Sequence, residues 1–334
     1  MTPQTNKAMR AVLCSHPSDD LSTTTLTSMP MPLPAANEVR VRVRAASLNP
    51  IDWKLCSGLA PRWSAPNIVG LDAAGEIEAL GEGVSGWAVG DRVVWHGNLN
   101  RHGVFADYAI APAHVLSRIP EGVSDAAAAA LPCAGYTAYQ GLVRKARVGA
   151  GDTVVVQGAS GGVGGFGIQI AKARGARVIA LAQPRDFALA KRLGADHVLD
   201  YRANALPAQL RALNGGQGAD IMLEVARPED PMRSLDLLRF NGQLVTVAFP
   251  PALTLAQAHG YAPSLHQVAL GAAYGADHLP TQSDFAAMGD EMLALLAEGK
   301  IDPMITETLS LDDVPDALRR LRARAVTGKL VAVL

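Results

Sequence analysis

The stretch from Asp152 to Gly167, D-T-V-V-V-Q-G-A-S-G-G-V-G-G-F-G, constrains this chain more than any other. Val154, Val155 and Val156 form a β-branched run with no polar alternation, as a strand buried on both faces requires. Gly158, Gly161, Gly162, Gly164, Gly165 and Gly167 follow, and a helical apolar stripe runs through Val163, Phe166, Ile170 and Ala171. A glycine inside a helix costs about 1 kcal/mol against alanine, so five of them between 161 and 167 need a reason. A dinucleotide-binding fold supplies it: a tight turn, close approach of backbone to pyrophosphate, and close helix–strand packing. Free N–H groups at the helix start then hold the phosphates. A glycine-rich hairpin or linker is the competing reading, and the first glycine of the usual pattern is replaced, giving Ala159-x-Gly161-x-x-Gly164. The strand before and the helix after favour the cofactor loop.

The rest of the chain changes character at this point. Val39 to Ala45, V-R-V-R-V-R-A, alternates with period two, a half-buried strand with its arginines toward water. Strand-like pieces follow at 74–79, 92–95 and 104–110, separated by glycine turns, which suggests a compact all-β or barrel-like domain ending near the alanine run 126–130. From Asp152 onward, strands at 177–181, 197–199, 221–225 and 243–248 alternate with helical stretches, the signature of a doubly wound parallel sheet. Residues 250–283 show no clear pattern. Amphipathic helices then run from Phe285 to Leu296 and from Val314 to Ala325, and the chain closes on K-L-V-A-V-L (329–334), a strand with no sheet nearby in sequence. Residues 1–8 read as a loose tail.

Composition excludes several function classes. The 334 residues suffice for about two domains, and 49% hydrophobic content for two cores. A net charge of −1 points to neither nucleic acid nor an anionic membrane as partner. Cys14, Cys56 and Cys133 are too few and too scattered for a disulfide framework. With no apolar leader after Met1 and no run near the ~18 residues of a membrane span, a cytoplasmic protein is expected.

Seven segments together resemble the medium-chain dehydrogenase/reductase superfamily, in its zinc-free quinone oxidoreductase branch. They are S-L-N-P-I-D-W-K (47–54), G-L-D-A-A-G-E (70–76), V-G-D-R-V (89–93), L-P-C-A-G-Y-T-A-Y (131–139), A-S-G-G-V-G (159–164), L-G-A-D-H-V-L-D-Y (193–201) and T-G-K-L-V (327–331). The resemblance implies an α/β fold, a Rossmann doubly wound parallel sheet plus a GroES-like β-barrel catalytic domain. The boundaries it implies are 1–126 for the first part of the catalytic domain, 127–283 for the Rossmann NADP-binding domain and 284–334 for the return to the catalytic domain, with the active site in the cleft. It gives the closing strand its distant partner, makes 250–283 a dimer edge and part of the substrate pocket, and implies a homodimer.

The zinc alcohol dehydrogenases of this superfamily bind their catalytic metal through a Cys, a His–Glu pair and a later Cys. Asn49, Leu71–Asp72 and Cys133 stand at the matching positions. Catalytic zinc takes three protein ligands and one open position; one thiolate and one aspartate fall short, and no four-cysteine block exists for structural zinc. No metal is therefore expected. Cofactor choice turns on the end of the second strand, where an NAD enzyme carries an acidic residue. Ala182 and Gln183 stand there instead, followed by Arg185, whose guanidinium suits a 2′-phosphate. NADPH is expected, although Asp186 is placed to reach a ribose or to pair with Arg185. The cofactor-binding set is Thr137, Ala159, Ser160, Gly161, Gly162, Val163, Gly164, Gln183, Arg185 and Tyr201, with Tyr201 and Thr137 drawn from the resemblance.

Hydride transfer without a metal suits an acceptor whose developing charge is delocalised onto oxygen, a quinone or an α,β-unsaturated carbonyl (enal or enone), since one or two hydrogen-bond donors can then suffice. Asn49 and Lys54 are the donors that N-P-I-D-W-K offers, with Asp52 orienting the loop. Lys54 aims either into the cleft or out to water. Trp53, Trp63 and Tyr261 are pocket or core residues. Two rivals stand beside this reading: a zinc-type alcohol dehydrogenase, and a non-catalytic NADPH-binding protein of crystallin or regulatory kind.

Overall fold

The computed structural model describes residues 7–59, 63–225, 231–247, 252–276 and 278–334. They group into two compact units, one formed by 1–133, 271–297 and 303–334, the other by 134–270 and 298–302.

In the second unit six strands form one parallel sheet: Thr153–Gln157, Arg177–Ala182, His197–Asp200, Ala219–Glu224, Leu238–Thr246 and Ser264–Gln267. Numbered along the chain, their spatial order is 3-2-1-4-5-6. That is the doubly wound dinucleotide-binding order, which reverses direction between the first and fourth strands. The valines of the first strand are fully buried, as their unbroken apolar run required. Val155, Ile179, Met222 and Leu244 pack into one core with Leu206 and Leu210 of the helix Leu206–Leu213. The expected strand at 243–248 begins earlier, at Leu238, and Ala248 lies outside the described residues.

In the first unit a seven-stranded sheet is built around Glu38–Ser47. Val39, Val41 and Val43 are buried, and Arg40 and Arg44 pair with Glu78 and Glu76 on the solvent side. This strand pairs antiparallel with Asp72–Leu80, Tyr108–Pro112 and the closing strand Lys329–Val333, which thus finds its partner far back in the chain. Asp72–Leu80 pairs onward with Arg92–His96. Three strands had no clear sequence signal. Ala8–Cys14 is a strand paired with Thr24–Pro30, so Ala8 does not belong to the tail expected over 1–8, of which 1–6 lie outside the described residues. Ile305–Leu309 pairs parallel with the closing strand. The patternless stretch holds a short helix, Leu255–Tyr261, and the edge strand Ser264–Gln267. No helix among the described residues is long and apolar enough to cross a membrane.

Candidate active site

Two groups of residues are candidates for a site, one in each unit.

In the second unit the helix Gly162–Ala173 starts directly after the first strand, with Gly161 at its cap and no side chain capping it. The first N–H groups of a helix have no partner within it, and here no side chain among the described residues caps them. A Cβ on Gly164 would sit 2.2 Å from the Gly158 carbonyl oxygen, so only a bare backbone allows the turn. A Cβ on Gly167 would lie 2.5 Å from Leu223 Cδ2, which is the close helix–strand packing. A glycine turn this tight, leading into a helix start that no side chain caps, fits a pyrophosphate. Ala159 N–H donates to Leu181 O at 3.5 Å and ties this loop to the end of the second strand. Gln183 stands there with Nε2 3.4 Å from Tyr201 Oη, and Arg185 is exposed, its side chain 70% accessible and its contact to Asp186 long at 3.9 Å. Arg202, which sequence reading passed over, donates to Tyr201 Oη at 3.2 Å and lies over its ring. The loop 159–164 and the trio Gln183, Arg185 and Tyr201 thus border one strand end. Thr137 is buried at the start of a short helix, Thr137–Tyr139. Tyr261 packs on the sheet core and donates to Asp236.

In the first unit the register of four neighbouring strands assembles a buried polar cluster. Val331 lies opposite Ser47, Ser47 opposite Asp72, and Asp72 opposite His96. Asn49 follows two residues after Ser47 and caps the helix Pro50–Cys56. Its backbone N–H donates to Asp52 Oδ2 at 2.7 Å, so Asp52 does orient this loop. The Asn49 amide is fully engaged: Nδ2 donates to Ser47 O at 3.2 Å and to Asp72 Oδ2 at 2.7 Å, and Oδ1 accepts from Lys329 Nζ at 2.7 Å. The other Asp72 oxygen accepts the Cys133 N–H at 2.9 Å. Lys54, by contrast, is exposed at the last turn of the helix, 5.9 Å from the centre of the Trp53 ring.

Burial dominates the electrostatics. It lifts the Asp72 carboxyl to about 6 against the pull of Lys329 and Asn49, and it holds Asp52 well above the carboxylate range. The Cys133 thiol is raised too, with Lys329 and Lys54 opposing. His96 is pushed down to about 4 and is neutral at pH 7. Its ring packs against Tyr274 and Phe285, which also pack on each other, and Nδ1 has no hydrogen-bond partner among the described residues.

His96 and Lys329 are the residues the sequence did not disclose. Of the positions that match the family's zinc ligands, only Asp72 and Cys133 carry ligand-type side chains. The structure adds His96 as a third, and one atom from each lies within 4.8 Å of the other two.

Comparison with known proteins agrees with this architecture. Residues 35–121 match the alcohol dehydrogenase GroES-like domain and 162–260 the zinc-binding dehydrogenase family. Human quinone oxidoreductase is 29% identical over 299 residues, covering 87% of each chain. Phthioceranic/hydroxyphthioceranic acid synthase of Mycobacterium tuberculosis is 33% identical over 231 residues, 68% of this chain, which thus spans about a tenth (11%) of that protein's length. Among solved structures, an NAD-dependent alcohol dehydrogenase superposes with a TM-score of 0.86 at 30% identity, covering 98% of this chain and 100% of the other. A mycobacterial protein complexed with NADPH gives 0.86 at 27% identity over the same shares. The chain belongs to the medium-chain dehydrogenase/reductase superfamily, on its quinone oxidoreductase branch, with a Rossmann sheet and a GroES-like domain.

Proposed function

We propose that this oxidoreductase uses NADPH to reduce a quinone or an α,β-unsaturated carbonyl, and does so without a metal. The observation that carries the reading is the state of Asp72: both of its oxygens are already held, by the Asn49 amide and the Cys133 N–H, inside a cluster that contains its own buried cation, Lys329. A carboxylate so engaged is a poor ligand, and a thiol raised by burial is far from the thiolate that a metal needs.

Ala159 to Gly164 would hold the pyrophosphate on backbone N–H groups. Arg185, exposed and weakly paired, would take the 2′-phosphate, with Gln183 and Tyr201 lining the adenosine side and Thr137 the nicotinamide side. The bound cofactor supplies a hydride. Lys54 is the free donor for the oxygen that gains charge, because its ammonium is unburied and its field reaches Cys133 in the polar cluster. Asn49 contributes through that cluster, with its amide aligned on Asp72. A cytoplasmic homodimer completes the proposal, with the exposed edge strand Ser264–Gln267 as the interface.

The relevant experiment follows NADPH absorbance across a panel of quinones, enals and enones and identifies products by mass spectrometry. Saturable turnover of at least one class is expected; binding of NADPH with no oxidation of any member would support the non-catalytic rival instead. The nearness of Asp72, His96 and Cys133 favours the second reading, a zinc-type alcohol dehydrogenase. One tightly held zinc per chain by elemental analysis would establish that reading.

A further inference from the structure

We infer that Lys329 is the positioning residue that keeps the Asp72–His96–Cys133 cluster closed to divalent cations: its buried ammonium takes the place a metal's charge would fill. The inference rests on the metal-free reading above and deepens it by naming the residue responsible.

The three donor types are those of a catalytic metal centre, a carboxylate, a neutral imidazole and a thiol, and their atoms lie close enough together. Donor type alone therefore does not keep a metal out. What differs is the fourth group. Lys329 is 3% exposed and reaches Asn49 Oδ1 at 2.7 Å, and Asn49 passes that polarisation to Asp72 Oδ2 through a second 2.7 Å bond. Asp72 and Lys329 thus form a balanced buried pair across one amide. The other groups facing them are Asp52, buried against the Asn49 N–H; His96; Cys133; and, from the exposed end of its helix, Lys54. A dication entering this cluster would meet the field that the ammonium already exerts on Asp72 and Cys133, with little water to screen it, and would have to pull Asp72 from both its donors. The register places Lys329 there, because it opens the strand whose Val331 pairs with Ser47.

Two substitutions in the full chain separate charge from packing. Lys329→Gln keeps an N–H donor for Asn49 and removes the charge; Lys329→Arg keeps the charge. Each is titrated with Co²⁺ alone, and the visible thiolate-to-cobalt absorption is recorded. Wild type and Lys329→Arg should show no such band. Lys329→Gln should bind one Co²⁺ per chain at least roughly 100-fold more tightly than wild type, the scale of removing a unit charge beside a dication in a poorly screened site. The band should vanish when Cys133→Ser is added. Should Lys329→Gln be too unstable without metal, recovery of its fold on refolding with Co²⁺ but not Mg²⁺ gives the same answer, since a ligand of the native state stabilises it. Folded Lys329→Gln that binds no cobalt, failure of Co²⁺ to rescue its folding, or wild type binding as tightly as the Gln variant would each overturn the inference. None of these readouts depends on turnover, so a failed substrate screen and a failed metal experiment remain distinguishable.

Discussion

At the scale of single residues, two side chains carry separate parts of the proposal. Arg185 is exposed and nearly unpaired, so replacing it should leave the fold untouched. Arg185→Ala should weaken NADPH binding by about 1.5–3 kcal/mol, roughly 10- to 150-fold, and leave NADH almost unchanged. Titration of both cofactors checks this; equal losses would mean that the arginine does not read the 2′-phosphate. Lys54→Ala should lower kcat for the best enone by roughly 10²-fold, the loss of one donor to a developing oxyanion, with NADPH affinity within about twofold of wild type. Unchanged turnover would remove Lys54 from the mechanism. Arg185 and Lys54 were legible in sequence because each sits beside a local motif. His96 and Lys329 were not. His96 meets Asp72 only through cross-strand register, and Lys329 meets Asn49 across 280 positions of chain, so no local pattern marks either of them.

At the scale of elements, the glycine-rich helix divides its work between two positions that substitution can tell apart. Gly164→Ala would put a methyl against the Gly158 carbonyl, backbone that cannot yield without moving the loop. Dinucleotide affinity should fall at least about tenfold, as for a lost charge-assisted contact. Gly167→Ala would instead press on the end of the Leu223 side chain, so it should destabilise by about 1–3 kcal/mol with affinity little altered. Thermal melting and NADPH titration of both variants measure the contrast, and matching profiles would contradict it. The same elements show where sequence reading works. The buried valine strand and its glycines announced themselves because a parallel strand covered on both faces has to be apolar throughout. Ile305–Leu309 and Thr24–Pro30 did not, since both alternate partly exposed positions and the latter is mostly threonine and serine.

At the scale of the whole molecule, the buried polar cluster couples stability to pH. His96 is held down to about 4, below its ordinary 6.5, so the unfolded chain binds a proton between these values that the folded chain refuses. The stability from the neutral imidazole is complete above about 6.5 and is lost as pH falls toward 4, roughly 3 kcal/mol in all. Asp72, raised to about 6, works in the opposite sense: its contribution is present below its ordinary pKa and is lost as pH rises through 6. The two slopes oppose each other between pH 4 and 6. Asp72→Asn should therefore steepen the fall in stability on acidification, and His96→Gln should make it shallower, both read from urea midpoints at several pH values. Parallel profiles for the two variants would mean that neither group titrates as its burial requires. The two-unit architecture was legible from segment order, because the family's motifs recur along nearly the whole chain, whereas the chemistry of the cluster depends on which strands lie side by side.

Hydride transfer from NADPH without a metal can be tested by chelation. Purified protein is dialysed exhaustively against a strong chelator, its zinc content is determined, and its oxidation of NADPH by the best quinone or enone is compared before and after. Well under one zinc per chain and unchanged kcat and KM are expected. Loss of activity on chelation, restored by stoichiometric Zn²⁺, would contradict metal-free transfer.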